Sequence, residues 1–221
     1  SITSGGGGKD FGDLSVAMNR PHGCSSSTRG IYAGGKQTPG VEIAVIQYVT
    51  ISSLGGVADF GDLLEDVSSG DAASNDTRGI ISAGYDAPTN INTIQFITIA
   101  STGNARDFCD GLENRGQQCF SSTTRYVSGG GYGSPRYDGE GSYAYLNIID
   151  FLTFSTKSNP KDFGDLSVSA YGANGGTSSS TRGIFANLSV SPGTRQNIIE
   201  FVTIATTGNT TDFGDMTSAR A

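Results

Sequence analysis

The chain has 221 residues, with 14 Lys and Arg against 21 Asp and Glu and a formal net charge of −7. That balance argues against a nucleic-acid partner, which calls for clustered cations. With no Trp, one His and three Cys, most metal and acid–base catalysts lack their customary residues. The 33 glycines and the low charged fraction of 16% suit short strands and tight turns better than helices. No apolar run of about 18 residues is present to cross a membrane.

The chain opens Ser1-Ile-Thr-Ser, with neither an initiator Met nor a signal peptide, which reads as a processed chain or a piece of a longer one. The string Asp-Phe-Gly-Asp follows at Asp10 and recurs at Asp59, Asp162 and Asp212, with the variant Asp-Phe-Cys-Asp at Asp107. The steps are 49, 48, 55 and 50 residues. Other features keep phase. A small-polar run ending in Thr-Arg closes at Arg29, Arg78, Arg125 and Arg182, which is 19, 19, 18 and 20 residues after the preceding Asp. A short segment comes next: Gly30-Ile-Tyr-Ala-Gly-Gly35, Gly79-Ile-Ile-Ser-Ala-Gly84, Tyr126-Val-Ser-Gly-Gly130 and Gly183-Ile-Phe-Ala186. A longer one follows, from Ile46, Ile94, Ile149 and Ile199, in the pattern Ile-x-aromatic-apolar-Thr-apolar, and each ends 8 residues before its Asp. Ile2 also sits 8 before Asp10. Residues 1–14 are therefore the tail of a partial repeat, and whole repeats cover about 15–63, 64–112, 113–166 and 167–216.

Beta-branched and aromatic residues bounded by Gly, Pro, Asn and Thr mark the longer segment as a strand. Gln47, Gln95, Asp150 and Glu200 interrupt it, as in a strand covered on both faces with polar residues at its ends or edge. Each repeat holds three or four short antiparallel strands. About 50 residues with four strands is the size of one propeller blade. The expectation is one all-β propeller domain over 1–221, with apolar packing between blades dominating stability.

The phased residues Asp10, Arg29, Asp59, Arg78, Asp107, Arg125, Asp162, Arg182 and Asp212 read as structural. Phe within Asp-Phe-Gly-Asp is the expected anchor and Gly a turn residue. The carboxylates are expected to accept turn amides or to take the repeat's Arg as a bidentate partner. Five carboxylate pairs could hold Ca²⁺, but EF-hand and Asp-rich nonapeptide spacings are missing, so no metal and no cofactor is expected.

Several motifs lack context. Asp-Phe-Gly invites a kinase reading without a catalytic loop or nucleotide-loop lysine, and Gly5–Gly8 has no helix after it to cradle phosphate. His22, between Pro21 and Gly23, is expected in a solvated loop. Asn75, Asn187 and Asn209 fit the glycosylation pattern, which arises by chance in Asn/Thr-rich sequence. Cys109 and Cys119 either pair, leaving Cys24 free, or are buried thiols. The third repeat runs 37 residues from Arg125 to Asp162, where the others take 29 or 30. Its surplus places Tyr132, Arg136, Tyr137, Asp138, Tyr143 and Tyr145 in a Gly-rich loop, a composition suited to contact surfaces. These residues either bind a ligand such as a sugar, contact another subunit, or belong to a plain longer hairpin whose tyrosines cover the propeller flank.

The period, and the hydrophobic–Gly-Gly segment leading into a strand, resemble kelch-type propeller repeats, although Trp is absent. The fuller pattern is carried best by Thr181-Arg-Gly-Ile-Phe, Phe201-Val-Thr-Ile-Ala-Thr-Thr-Gly-Asn209 and Asp212-Phe-Gly-Asp215. It is similar to the kelch-like tandem repeats of structural proteins in tailed marine phages. The resemblance implies a non-enzymatic structural or adhesion module of a virion appendage, in a virion or extracellular setting. The partners it implies are other protein subunits, in a homo-oligomer or larger assembly, and a cell-surface glycan. The rival expectation is a soluble carbohydrate-binding lectin.

Overall fold

Each predicted repeat folds into a four-stranded antiparallel meander. The computed structural model describes residues 8, 10–112, 114–135, 142–172, 176–186, 188–190 and 193–219, and among them there is no helix. The first sheet runs His22–Ser25, Arg29–Ala33, Val45–Thr50, Ala58–Asp62, and the second Asp71–Ser74, Arg78–Asp86, Thr89–Thr98, Arg106–Asp110. The third meander, Gln118–Ser121, Arg125–Gly129, Ala144–Thr153, Lys161–Gly172, belongs to a larger eight-stranded sheet with Asn114–Arg115, Tyr132–Gly133, Leu188–Val190 and Thr194–Arg195, and the fourth sheet runs Thr177–Ser178, Arg182–Ala186, Ile198–Thr203, Thr211–Asp215. Within every meander, consecutive strands pair with each other. The all-β expectation is borne out.

Local chemistry sets the corners. Between the first two strands a side-chain oxygen receives two backbone amides and closes the turn. Ser26 Oγ accepts from Thr28 N and Arg29 N, Asn75 Oδ1 from Thr77 N and Arg78 N, and Ser122 and Ser179 repeat the pattern. The chain turns through left-handed backbone after the second strand at Gly34-Gly35 and Gly130-Gly131, and within the longer strand Arg78–Asp86 at Ala83-Gly84. The expected glycine doublet of the third repeat is thus shifted by one, because Gly129 still belongs to the strand and lies against the Phe185 ring. From each corner springs a ribbon that pairs with the segment after the preceding Asp-Phe-Gly-Asp: Lys36–Gln37 with Met18–Asn19, Tyr85 with Ser68, Tyr132–Gly133 with Asn114–Arg115, and Leu188–Ser189 with Tyr171–Gly172.

Asp-Phe-Gly-Asp is not a turn. It lies inside the fourth strand, where pairing skips Phe60, Phe108, Phe163 and Phe213 in turn, one bulged residue per repeat. The bulge aims that ring at the third strand, whose Tyr48, Phe96, Phe151 or Phe201 meets it edge-on at 5.8–6.0 Å.

The core lies between repeats. One cluster joins the first and second sheets through Ile31, Ile46, Phe60, Ile81 and Ile99, a second joins the next pair through Ile80, Phe108, Tyr126 and Leu152, and a third joins the last pair through Val127, Phe163, Phe185 and Ile204. A lone sheet buries neither face fully, so stability comes from stacking neighbours. Side-chain volumes compensate across the seams. A Cβ on Gly183 would strike the Phe120 ring and one on Gly79 the Cys24 sulfur, whereas the third repeat places Tyr126 in the glycine position, in the cluster that contains the small Ala73.

Two sequence expectations are corrected. His22 is buried, not solvated, at the start of the first sheet. The polar residues inside the long strands, Gln47, Gln95, Asp150 and Glu200, are buried rather than set at an edge. For the cysteines the structure selects one alternative: Cys24, Cys109 and Cys119 are free thiols, the last two buried.

Candidate functional site

The phased residues converge on the seams between consecutive repeats. Arg29, on the second strand of its sheet, lies over the Tyr48 ring and donates from Nη1 to the carbonyl oxygen of Ile99 in the following repeat, at 2.8 Å. Arg78 lies over Phe96 and reaches the Phe154 carbonyl at 2.5 Å, and Arg125 lies over Phe151 and reaches the Ile204 carbonyl at 2.8 Å. Each acceptor is the last residue of the next repeat's long segment. The expected Arg–carboxylate pairing is therefore replaced by a ring face and a carbonyl one repeat ahead. The planar guanidinium can stack and donate sideways at once.

The glycine of Asp-Phe-Gly-Asp makes the second seam contact. Gly61 and Gly164 have φ of 143° and 148°, and a Cβ on either would fall 2.5–2.6 Å from the backbone of Gly103 or Gly208 in the next repeat. Phe60 O accepts from Gly103 N, Asp62 O from Ala105 N, and Asp62 N donates to Asn104 Oδ1. Phe163, Asp165, Gly208, Asn209 and Thr210 repeat that set. The exception proves the coupling. Where the second repeat has Cys109 in place of Gly, the third repeat has Ser158 at the position equivalent to Gly103 and Gly208, and Lys157 reaches back to Asp107 at 3.0 Å. At the chain's two end copies the first Asp accepts the amide two residues on, Asp10 from Gly12 and Asp212 from Gly214.

The buried polar residues also serve seams. Gln47 Oε1 accepts Ser15 N, Gln95 Oε1 accepts Leu64 N, and Glu200 accepts Ser167 N and the Ser167 hydroxyl, each donor being the first residue of the same repeat, two residues past an Asp-Phe-Gly-Asp. At the start of the first strands, His22 Nδ1 donates to Ala33 O and its Nε2 accepts Gly70 N. Asp71 Oδ2 accepts Cys119 N, and the Gln118 amide bonds Ala186 in both directions. Burial holds His22 down at about 4 against the opposing Ala33 bond, and raises Asp71 to about 6 against its two amide donors. The serine runs form a ladder: Ser74 Oγ donates to Ser25 O, Ser121 Oγ to Ser74 O and Ser178 Oγ to Ser121 O, at 2.6–2.7 Å. These groups are engaged with backbone, and their role is to join sheets.

The third-repeat surplus builds a different feature. Tyr132, on the ribbon, pairs directly with Tyr145 on the long strand, their rings 5.7 Å apart. Tyr143 lies 6.0 Å from Tyr132 at a tilt of 33°, and Tyr145 lies 6.4 Å from Tyr171. The Tyr171 ring occupies the space a side chain at Gly116 would need. The tyrosines 132, 143 and 145, with Val168, Val190 and Gln196, line an open groove of about 730 Å³. Ring faces of this kind stack on the CH faces of sugars, and Gln196 and the phenols supply hydrogen bonds. Arg136, Tyr137 and Asp138 lie outside the described residues. Tyr171 was missed in the sequence because it follows the next Asp-Phe-Gly-Asp, and only the pairing of Ala144–Thr153 with Lys161–Gly172, Leu146 opposite Ala170, brings it beside Tyr145.

Among the described residues no group of three or more His, Cys, Asp and Glu side chains is placed to hold a metal ion, and no helix is long and apolar enough to cross a membrane. No protein-family model matches the chain, and no curated protein matches it significantly.

Proposed function

We propose that the chain is a non-enzymatic β-propeller module, its sheets serving as blades, that works as a structural and adhesion component of a virion appendage such as a tail or fibre. The observation that carries the scaffold reading is the use of the phased residues: Arg29, Arg78 and Arg125, the glycines Gly61 and Gly164, and the serine ladder join one repeat to the next, and the buried Gln95 and Glu200 hold the segment that leads from one sheet into the next. Repetition selected for catalysis or ligation would leave such groups facing a shared cavity. The ladder along the first strands favours a radial arrangement with those strands innermost. The appendage setting is supported by the resemblance of the Thr-Arg-Gly and Asp-Phe-Gly-Asp pattern to repeats of phage structural proteins. Antibodies against the chain should label an appendage of intact particles in electron micrographs. Label confined to lysate fractions free of particles would overturn this setting.

A second reading, a carbohydrate-binding lectin, is favoured by the tyrosine groove. A glycan array comparing the native chain with Tyr145→Ala and Tyr143→Ala separates the two. Binding lost in both variants supports the lectin, and an array at background removes it.

A further inference from the structure

The seam contacts run out at the two ends of the array, and they do so in complementary fashion. On the last sheet Phe213 is 56% exposed, where its equivalents Phe60, Phe108 and Phe163 are at most 2% exposed. Gly214 keeps the seam backbone, φ 134°, with open space where Gly61 and Gly164 meet the next repeat. Arg182 lies over Phe201 like the other three arginines, but among the described residues it has no carbonyl to reach. On the first repeat, Ile51 is 45% exposed while Ile99, Phe154 and Ile204 are at most 3% exposed. Its carbonyl is the equivalent of the three that accept Arg.

Part of that first-repeat seat is occupied by the chain's own tail. Asp10–Leu14 copies the backbone contacts of a complete sheet, with Phe11 O accepting Gly55 N and Asp13 O accepting Val57 N. It copies them incompletely. It belongs to no described strand, Gly56 stands where Asn104 and Asn209 cap the other seams, and Phe11 is 37% exposed.

We infer that the open face of the fourth sheet docks on the first repeat of a second copy of this chain, head to tail, with Asp212–Met216 displacing Asp10–Leu14 from the loop around Gly55. Arg182 then donates to the Ile51 carbonyl, Gly214 closes on Gly55, and Phe213, Ile51 and Leu54 are buried together. The occupant is a second copy because the contact is the same seam already made inside the chain. The exchange resembles strand displacement at a sheet edge: a lone extended segment gives way to a strand held in a full sheet. Such a heterologous contact generates a ring or an open filament according to the rotation per subunit. Residues 10–14 act as a plug that sets the concentration at which assembly begins. This deepens the scaffold reading by naming its contact.

Sedimentation velocity of the 221-residue chain over roughly two decades of concentration tests it, with circular dichroism to verify folding. The average mass should rise with concentration. Gly12→Val should lower the concentration needed about tenfold, because a Cβ there falls 2.3 Å from Gly55 O and unseats the plug. Phe213→Asp and Ile51→Asp should each abolish self-assembly while sparing one face, so their equimolar mixture should give dimers and nothing larger. Wild type and Gly12→Val both monomeric throughout would overturn the inference and leave the face to a further repeat of a longer polypeptide. Assembly that survives both Asp variants would overturn it in favour of another surface. A monomeric chain whose antibody still labels an appendage would sink the contact and leave the scaffold standing.

Discussion

Gly61 and Gly103, from consecutive repeats, approach so closely that a methyl group on Gly61 would lie 2.6 Å from both the carbonyl carbon and the carbonyl oxygen of Gly103. Two constraints meet at Gly61: a backbone angle that L side chains rarely adopt, and a neighbour that is backbone and cannot swing aside. Gly214 carries the first constraint without the second. In the isolated chain Gly214→Ala should cost about 1–3 kcal/mol from backbone strain. Gly61→Ala should cost roughly 2 kcal/mol more, from overpacking. Urea unfolding of the two variants measures the difference. Equal losses would show that the close approach carries no energy.

The arginines offer a parallel comparison. Arg78 combines a ring contact with Phe96 at 5.0 Å and a hydrogen bond to Phe154, whereas Arg182 has the ring contact with Phe201 at 4.7 Å. A charge-assisted hydrogen bond contributes about 1.5–3 kcal/mol and an exposed cation–π contact about 0.5–1 kcal/mol. Arg78→Ala should therefore destabilise the monomer by roughly 2–4 kcal/mol, and Arg182→Ala by less than about 1 kcal/mol. Chemical denaturation at low protein concentration is the measurement. A large loss at Arg182 would contradict the assignment of its energetics to the seam.

These contrasts show what was legible in the sequence. Period, strand content and placement of the core between repeats follow from the phased Ile-x-aromatic segments and Asp-Phe-Gly-Asp, because β-branched runs and glycines constrain local backbone. The partner of each Arg was not legible. Nearby carboxylates in sequence suggested an ion pair, but the acceptors are carbonyls, which every residue carries and no motif advertises. Asp-Phe-Gly-Asp reads as a turn by composition, yet glycine with positive φ equally serves a bulge, and only its neighbour in the next repeat decides. Tyr126 in a glycine position was visible, while the small Ala73 that accompanies it lies 53 residues earlier. The tyrosine cluster was half legible: Tyr132, Tyr143 and Tyr145 stood out in the surplus segment, whereas Tyr171 meets Tyr145 through strand pairing alone.

His22 and Asp71 bend the pH dependence of stability in opposite directions. Burial holds His22 near 4 when folded, against 6.5 for the ordinary side chain. The unfolded chain thus takes up its proton first, and the stability present above about 6.5 is lost as pH falls toward 4. At about 1.4 kcal/mol per unit that loss approaches about 3 kcal/mol. Asp71 is raised to about 6 from 3.8, so its contribution is full below 3.8 and is lost as pH rises through 6, by a similar amount. In the native chain the two largely offset between pH 4 and 6.5. Asp71→Asn removes one side of the balance, and its stability relative to wild type should rise by about 3 kcal/mol as pH increases from 4 to 6.5. Urea midpoints at stepped pH check this, and parallel profiles would refute it.

The three thiols give a direct probe of seam integrity. Desolvation by burial pushes Cys24 and Cys109 up to about 12 and raises Cys119 well above its ordinary value. Alkylation proceeds through the thiolate, and at pH 8 a thiol near 12 is ionised roughly 1,000-fold less than one near 9. In the native state all three should therefore label with iodoacetamide orders of magnitude more slowly than a model peptide, and all three should label rapidly in denaturant. Cys24 lies against Gly79 of the second repeat and Cys119 donates its amide to Asp71, so opening the first or second seam should expose one before the other. Mass spectrometry of partially unfolded samples should then show ordered labelling. Simultaneous labelling of all three at every denaturant concentration would show that the repeats unfold as one unit.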